Sequence, residues 1–185
     1  MVWRMRHRGK SEPSAFTIAI RRTAELDDRE VATFAQWTRD IFGAEEDKYE
    51  WAEPDWHVVV RSEDRYVCHG AITERVATAG GASVKLGGIG NVMTPPTWRG
   101  RGLGAAAMRE AAAFMRDTLR VEFGLLLCSA GLVPWYCTLD WRRVKAPLSF
   151  WQAGGKVRWD EEAMVLACTE RVWPEGPIDL CGLPW

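Results

Sequence analysis

Several absences narrow the field. No stretch of the 185-residue chain approaches the ~20 apolar residues of a membrane-spanning helix. The basic start, Met1 to Lys10, has no apolar core, so no secretory leader and no membrane partner are expected. Charge of one sign is also missing. A formal net charge of -1 implies no general pull toward nucleic acid. The five cysteines, Cys68, Cys128, Cys137, Cys168 and Cys181, show no Cys-x-x-Cys spacing and no histidine at ligand spacing. No metal is therefore expected. They read as small buried apolar residues in a reducing, cytoplasmic compartment. No internal repeat appears, and at this length one domain is the default.

What is present is a glycine-rich run. An apolar strand ends at Val92-Met93-Thr94, Pro95 and Pro96 turn the chain, and Arg99-Gly100-Arg101-Gly102-Leu103-Gly104 opens an alanine-rich helix. This order places a row of backbone N–H groups and two arginines at a helix N-terminus, where a pyrophosphate binds. A Walker loop would need a lysine that is absent, and a dinucleotide fingerprint would need a different glycine register. Further on, Glu122 to Ser129 has the pattern of a buried strand. It is followed by Val133-Pro134-Trp135-Tyr136-Cys137-Thr138-Leu139-Asp140-Trp141.

The pattern Arg99-x-x-Gly102-x-Gly104 after a strand ending Val-Met-Thr-Pro resembles the coenzyme A loop of the GNAT superfamily of N-acetyltransferases. Trp135-Tyr136 to Trp141 looks like that superfamily's second cofactor motif, with Asp140 where a glycine is usual. Asp tolerates the left-handed backbone the turn needs. The resemblance covers roughly residues 17–170. It implies an α/β fold, a splayed mixed sheet with helices on both faces.

The remaining pattern agrees. Residues 1–14 read as a flexible basic tail and 15–185 as the domain. Strands are expected at 17–22, 56–61, 66–77, 83–94, 122–129, 141–144 and 163–169, with Gly80-Gly81 as a hairpin turn. Asp27 and Asp28 cap a helix that buries Val31, Phe34, Ala35, Thr38, Ile41 and Phe42 and ends at Gly43. A second helix, about 102–119, turns Leu103, Ala107, Ala111, Phe114, Met115 and Thr118 to one side. Residues 44–51 form a short helix or a loop. Gly154-Gly155 and 174–177 are connections.

The resemblance implies acetyl-CoA as co-substrate. Arg99, Gly100, Arg101, Gly102, Leu103 and Gly104 would hold its pyrophosphate. A backbone N–H near Val92, Met93 or Thr94 would meet the thioester oxygen as it becomes an oxyanion. Tyr136 would be the general acid toward the thiolate, since a phenol with an ordinary pKa near ~10 is protonated at neutral pH. Glu74, His69, Glu122 or a water chain could act as base.

The acceptor is expected to be a small-molecule amine. The closest resemblance is to aminoglycoside 2′-N-acetyltransferases, which also end on a Trp whose carboxylate helps bind the sugar. Trp185 and Asp55 are the candidate acceptor residues. Glu45, Glu46, Asp47, Glu50, Glu53 and 160–162 could attract a polycation. Gly90 replaces the glutamate of that subfamily's fourth strand, and Leu183 an acid near the terminal Trp. Trp37, Trp51, Trp56, Trp135, Trp151 and Trp159 would suit an aromatic or apolar amine instead. Gly88 and Gly90 could leave room for a longer acyl chain. A peptide acceptor and a non-catalytic coenzyme A module are the alternatives. Many members dimerise through late strands, so a homodimer is compatible.

Overall fold

The computed structural model describes residues 16–43 and 48–185. The tail at 1–14 and the acids Glu45, Glu46 and Asp47 lie outside the described residues. The elements are β1 (Phe16–Arg22), α1 (Asp28–Phe42), β2 (Trp56–Ser62), β3 (Arg65–Ala79), β4 (Ala82–Met93) and α2 (Leu103–Asp117). They continue with β5 (Phe123–Cys128), α3 (Val133–Cys137), β6 (Arg142–Val144), β7 (Leu148–Gln152), β8 (Gly155–Trp159), β9 (Glu162–Ala167) and β10 (Ile178–Asp179).

The ten strands of the described residues join one mixed sheet, eight of them in the order β6-β9-β5-β4-β3-β10-β7-β8. The 15-residue β3 organises it. β4 lies along one edge of β3, while the other edge takes β2 over its first half and the two residues of β10 near its end. β1 extends the sheet beyond β2. Gly80 and Gly81 make the β3–β4 turn with φ of 55° and 79°, a conformation open to glycine at little cost.

α2 is the crossover between the parallel strands β4 and β5. It buries Leu103, Ala107, Met108, Ala111 and Met115. Its alanines and Gly87 let it approach closely, since a Cβ on Gly87 would overlap the Met115 thioether. Thr118 is exposed rather than on the packed side.

α1 begins as expected. Asp27 accepts from Glu30 N at 2.8 Å, and the Glu30 carboxylate accepts from Asp27 N at 3.0 Å. Its inner face differs from expectation. Val31 and Ala35 are exposed, and the buried pair is Phe34 and Glu30. The reason is the Arg21–Glu30 ion pair, which draws the first turn of α1 onto β1 through a carboxylate rather than an apolar side chain. Cys137 and Cys181 are exposed and the other three cysteines buried, all five as free thiols.

Candidate active site

Two local features open a cleft at the middle of the sheet. β4 and β5 pair only from Leu86↔Phe123 to Ile89↔Leu126. Beyond that they separate, with Gly90 to Met93 on one side and Leu127 to Cys128 on the other. At the same place β4 bulges. His69 faces Met93 and Ala71 faces Gly90, so Asn91 and Val92 together oppose the single residue Gly70. Asn91 takes φ 50°, which Asn accepts more readily than most residues. Pro95 and Pro96 follow, and neither can donate to a strand partner.

The chain then forms a short 3₁₀ turn at Pro96–Trp98 and the glycine loop. Gly100 and Gly102 have φ of 75° and 76°. Gly102 caps α2 without a side-chain bond, and the first helical bond there is Ala106 N to Gly102 O at 3.0 Å. The N–H groups of Leu103, Gly104 and Ala105 thus have no acceptor within the helix. No acidic residue occupies the first turn. Arg99 Nε donates to Thr94 O at 3.0 Å, which ties the loop to the end of β4. The Arg101 guanidinium lies 4.6 Å over the Trp98 ring and donates to Thr97 O at 3.3 Å.

α3 brings the second motif to the same place. A Cβ on Gly104 would lie 3.4 Å from Trp135 Cζ2, so the loop packs directly on α3. Tyr136 is buried and points into the cleft beside Cys128. Burial pushes its phenol well above its ordinary range, with a smaller contribution from Cys128. It therefore keeps its proton throughout the working pH range. Asp140 takes φ 65°, as its replacement of a glycine requires.

The C-terminus closes the cleft from the other face. Trp185 donates its indole N–H to Leu125 O at 3.2 Å and lies on Gly88, where a Cβ would overlap the ring. A Cβ on Gly90 would stand 2.9 Å from the terminal carboxyl carbon. Pro184 O accepts from Ala52 N at 2.7 Å, Leu183 O accepts from Arg75, and the Arg75 guanidinium lies 5.4 Å from the Trp185 ring. The space that Gly88 and Gly90 leave is filled by Trp185, so it offers no room for a longer acyl chain.

The resulting cleft has a volume of about 460 Å³. Its aromatic lining is Phe42, Tyr49, Trp51, Trp159 and Trp185, and Glu161 and Lys48 add charge. Val92, Tyr136 and Trp185 meet there, while Met93 and Thr94 lie behind it, Thr94 against Cys68 Sγ at 3.3 Å. Asp55 does not line the cleft, because its carboxylate accepts the Glu74 N–H at 2.7 Å. Of the three candidate bases none lines it. Glu122 pairs with Arg171, Glu74 accepts from Trp56 Nε1 at 3.0 Å, and His69 is buried against His57. Trp37, Trp56, Trp135 and Trp151 also lie outside the cleft lining. Phe42 and Tyr49 went unforeseen as lining residues, while Glu161 belongs to the acidic run 160–162 expected to attract a polycation. The aromatic and acidic residues at 50–56 and that acidic run were the signals that pointed toward this wall.

The acetyltransferase (GNAT) domain family matches residues 22–144. No curated protein matches the chain. Among solved structures, Escherichia coli ElaA superposes with a TM-score of 0.60 at 16% identity, covering 81% of this chain and 98% of that one. The E. coli GNAT family N-acetyltransferase YhbS in complex with CoA gives 0.59 at 14% identity, covering 95% and 99%. A GNAT family acetyltransferase from Brucella melitensis in complex with acetyl-CoA gives 0.55 at 19%, covering 87% and 94%.

Proposed function

The chain belongs to the GNAT acetyltransferase family and is an N-acetyltransferase, and from that premise we propose that it acetylates the primary amine of a small molecule. The observation that carries this is the placement of Trp185, whose ring lies on Gly88 and whose backbone lies beside Gly90, covering the sheet face of the cleft. A peptide acceptor would need an open groove through that wall. The mixed lining, aromatic with few acids, favours an amine bearing an apolar or aromatic body over a polycation.

Acetyl-CoA would enter from the α2 side. Leu103, Gly104 and Ala105 N–H, with Arg99 and Arg101, would hold the pyrophosphate. The thioester would lie between the separated ends of β4 and β5, its oxygen at the bulge. The neutral amine attacks the carbonyl carbon, forming the C–N bond as the C–S bond breaks. Tyr136 gives its proton to the leaving sulfur and is restored by the proton the nitrogen sheds. Trp185, beside Gly90, forms the wall of the cleft against which the acceptor would lie.

A coenzyme A release assay over aminoglycosides, polyamines, amino acids, aromatic amines and short peptides tests this. Turnover on aromatic or apolar small amines, lost on deleting Trp185, is the expected result, and turnover on peptides alone would overturn it. On the accepted amine, Tyr136→Phe should lower kcat by about 10²-fold with acetyl-CoA affinity unchanged. Unaltered turnover would remove Tyr136 from the chemistry. Gly102→Ala should weaken CoA binding about tenfold, because the left-handed cap becomes strained and a methyl enters the space above the free N–H groups. Isothermal titration with CoA measures it.

A further inference from the structure

Behind the bulge runs a buried chain of polar groups that neither the sheet nor the cleft uses. His69 Nδ1 lies 3.1 Å from Asn91 O, His69 Nε2 lies 2.8 Å from His57 Nδ1, and His57 Nε2 lies 3.2 Å from Thr23 Oγ1. His69 is 1% exposed and His57 8%. Phe34 stacks on the His69 ring at 4.2 Å. Hydrogen-bond logic fixes the direction of the chain. A carbonyl can only accept, so His69 Nδ1 carries a hydrogen. The neutral ring then has a bare Nε2, which must accept from His57 Nδ1–H, while the Thr23 hydroxyl beside His57 Nε2 donates its one hydrogen to Pro54 O. Both imidazole donors point toward Asn91, and bonds aligned in one direction polarise one another.

The consequence falls on one peptide group. Asn91 C=O and Val92 N–H belong to the same peptide, and all described peptide bonds are trans. In a trans peptide the N–H points opposite to the C=O. With the carbonyl held by His69, the Val92 N–H is turned away from the histidines. Val92 lines the cleft where β5 has already left β4.

The geometry points to His69, backed by His57, as the positioning residue that aims and strengthens the Val92 N–H as the donor to the thioester oxygen. This rests on the bulge being where that oxygen sits. His69 touches no substrate, and its effect passes through the Asn91–Val92 peptide. Without it, Asn91 in a left-handed conformation has no side chain holding its carbonyl, and the peptide is free to rotate.

The test is amide NMR of Val92 with CoA and with acetyl-CoA, in the wild type, His69→Leu and His69→Asn, alongside kinetics on an accepted amine. Asn places an amide nitrogen near the Nδ1 position and should rescue. The expected result is a downfield Val92 shift with acetyl-CoA but not CoA in the wild type. In His69→Leu that shift collapses and kcat falls about 10- to 100-fold, with CoA affinity held within about twofold, and His69→Asn restores most of both. A Val92 that never responds in the wild type removes the premise about the bulge and the inference with it. A Val92 that responds equally in His69→Leu, with kcat unchanged, overturns the role of His69 alone. Where His69→Leu does not fold, the ¹⁵N tautomer pattern of the wild-type ring decides. Nδ1–H supports the assignment and Nε2–H overturns it.

Discussion

Gly88→Ala is expected to destabilise the protein by about 3 kcal/mol and to raise the acceptor KM steeply, although it adds one methyl group. The methyl would overlap the Trp185 indole, and the ring has no free direction in which to yield. Below it is β4. At its edge Nε1 is bonded to Leu125 O, and its backbone is tethered through Pro184 O to Ala52 N and through Leu183 O to Arg75. Either the strands spread, at the 1–3 kcal/mol typical of overpacking, or the indole leaves its site, at the 3–5 kcal/mol of a buried Trp truncation. In a chain of this size ~3 kcal/mol lowers Tm by roughly 6–12 °C. Expulsion of the ring carries Trp185 away from Gly88 and Gly90 and removes that wall of the cleft, so the acceptor KM should rise steeply while CoA affinity, on the proposed site at the start of α2, stays put. Calorimetry on Gly88→Ala, Trp185→Ala and the double variant checks it. If the methyl acts by evicting the indole, the double variant is no worse than Trp185→Ala. Simple additivity would show that Gly88 acts through something other than Trp185.

The same contact shows where sequence reasoning stops. The glycine loop before α2 was legible as a backbone shape because its signals are local. Left-handed glycines, prolines that end a strand and a helix start without an acid each act within a few residues, and the structure places Gly100, Gly102 and α2 accordingly. β3 and β4 were legible through their β-branched runs and the Gly80-Gly81 turn. β7, β8 and β10 were not. β10 has two residues, and its pairing depends on long-range bonds such as Ile178 N to Pro147 O at 2.8 Å. Gly154-Gly155 looked like a connection and proved to be the turn of the β7–β8 hairpin. Gly88 and Gly90 were read as vacant space because their occupant comes from the far end of the chain. Asp55 and Glu74, plausible as acceptor or base, are used otherwise: the Asp55 carboxylate accepts the Glu74 N–H, and the Glu74 carboxylate accepts from the Trp56 indole. The buried stripe of α1 failed at Val31 for a related reason. Periodicity identifies an apolar face but does not foresee a carboxylate buried on an arginine.

Acid should unfold this protein earlier than its carboxylates alone would allow, and the two buried histidines are the reason. Burial lowers His57 to about 4 and His69 to about 3, His57 being opposed slightly by Glu30 and His69 lowered further by its neighbour His57. Around the pair stand Glu30 of α1, itself paired with Arg21 of β1, Phe34 of α1 and Tyr66 of β3, so no unpaired carboxylate is there to stabilise an imidazolium. In the unfolded chain both rings take up a proton below their ordinary value of ~6.5. A group whose pKa is depressed on folding in this way contributes stability at neutral pH that is lost as pH falls. Between pH 6.5 and the folded values the unfolded state binds more protons, and each histidine costs about 1.4 kcal/mol per pH unit. From pH 7 to pH 5 the pair should remove about 4 kcal/mol, a large share of the 5–15 kcal/mol typical of a domain. Glu122 and Asp179, both held below the ordinary carboxylate range by their partners, lose their contribution only at lower pH, so the two effects separate. Urea unfolding at pH 7 and pH 5 measures the drop. His57→Gln should roughly halve it, since only His69 then titrates. A drop of the same size in His57→Gln would mean that His57 takes up no extra proton on unfolding and that other groups cause the loss.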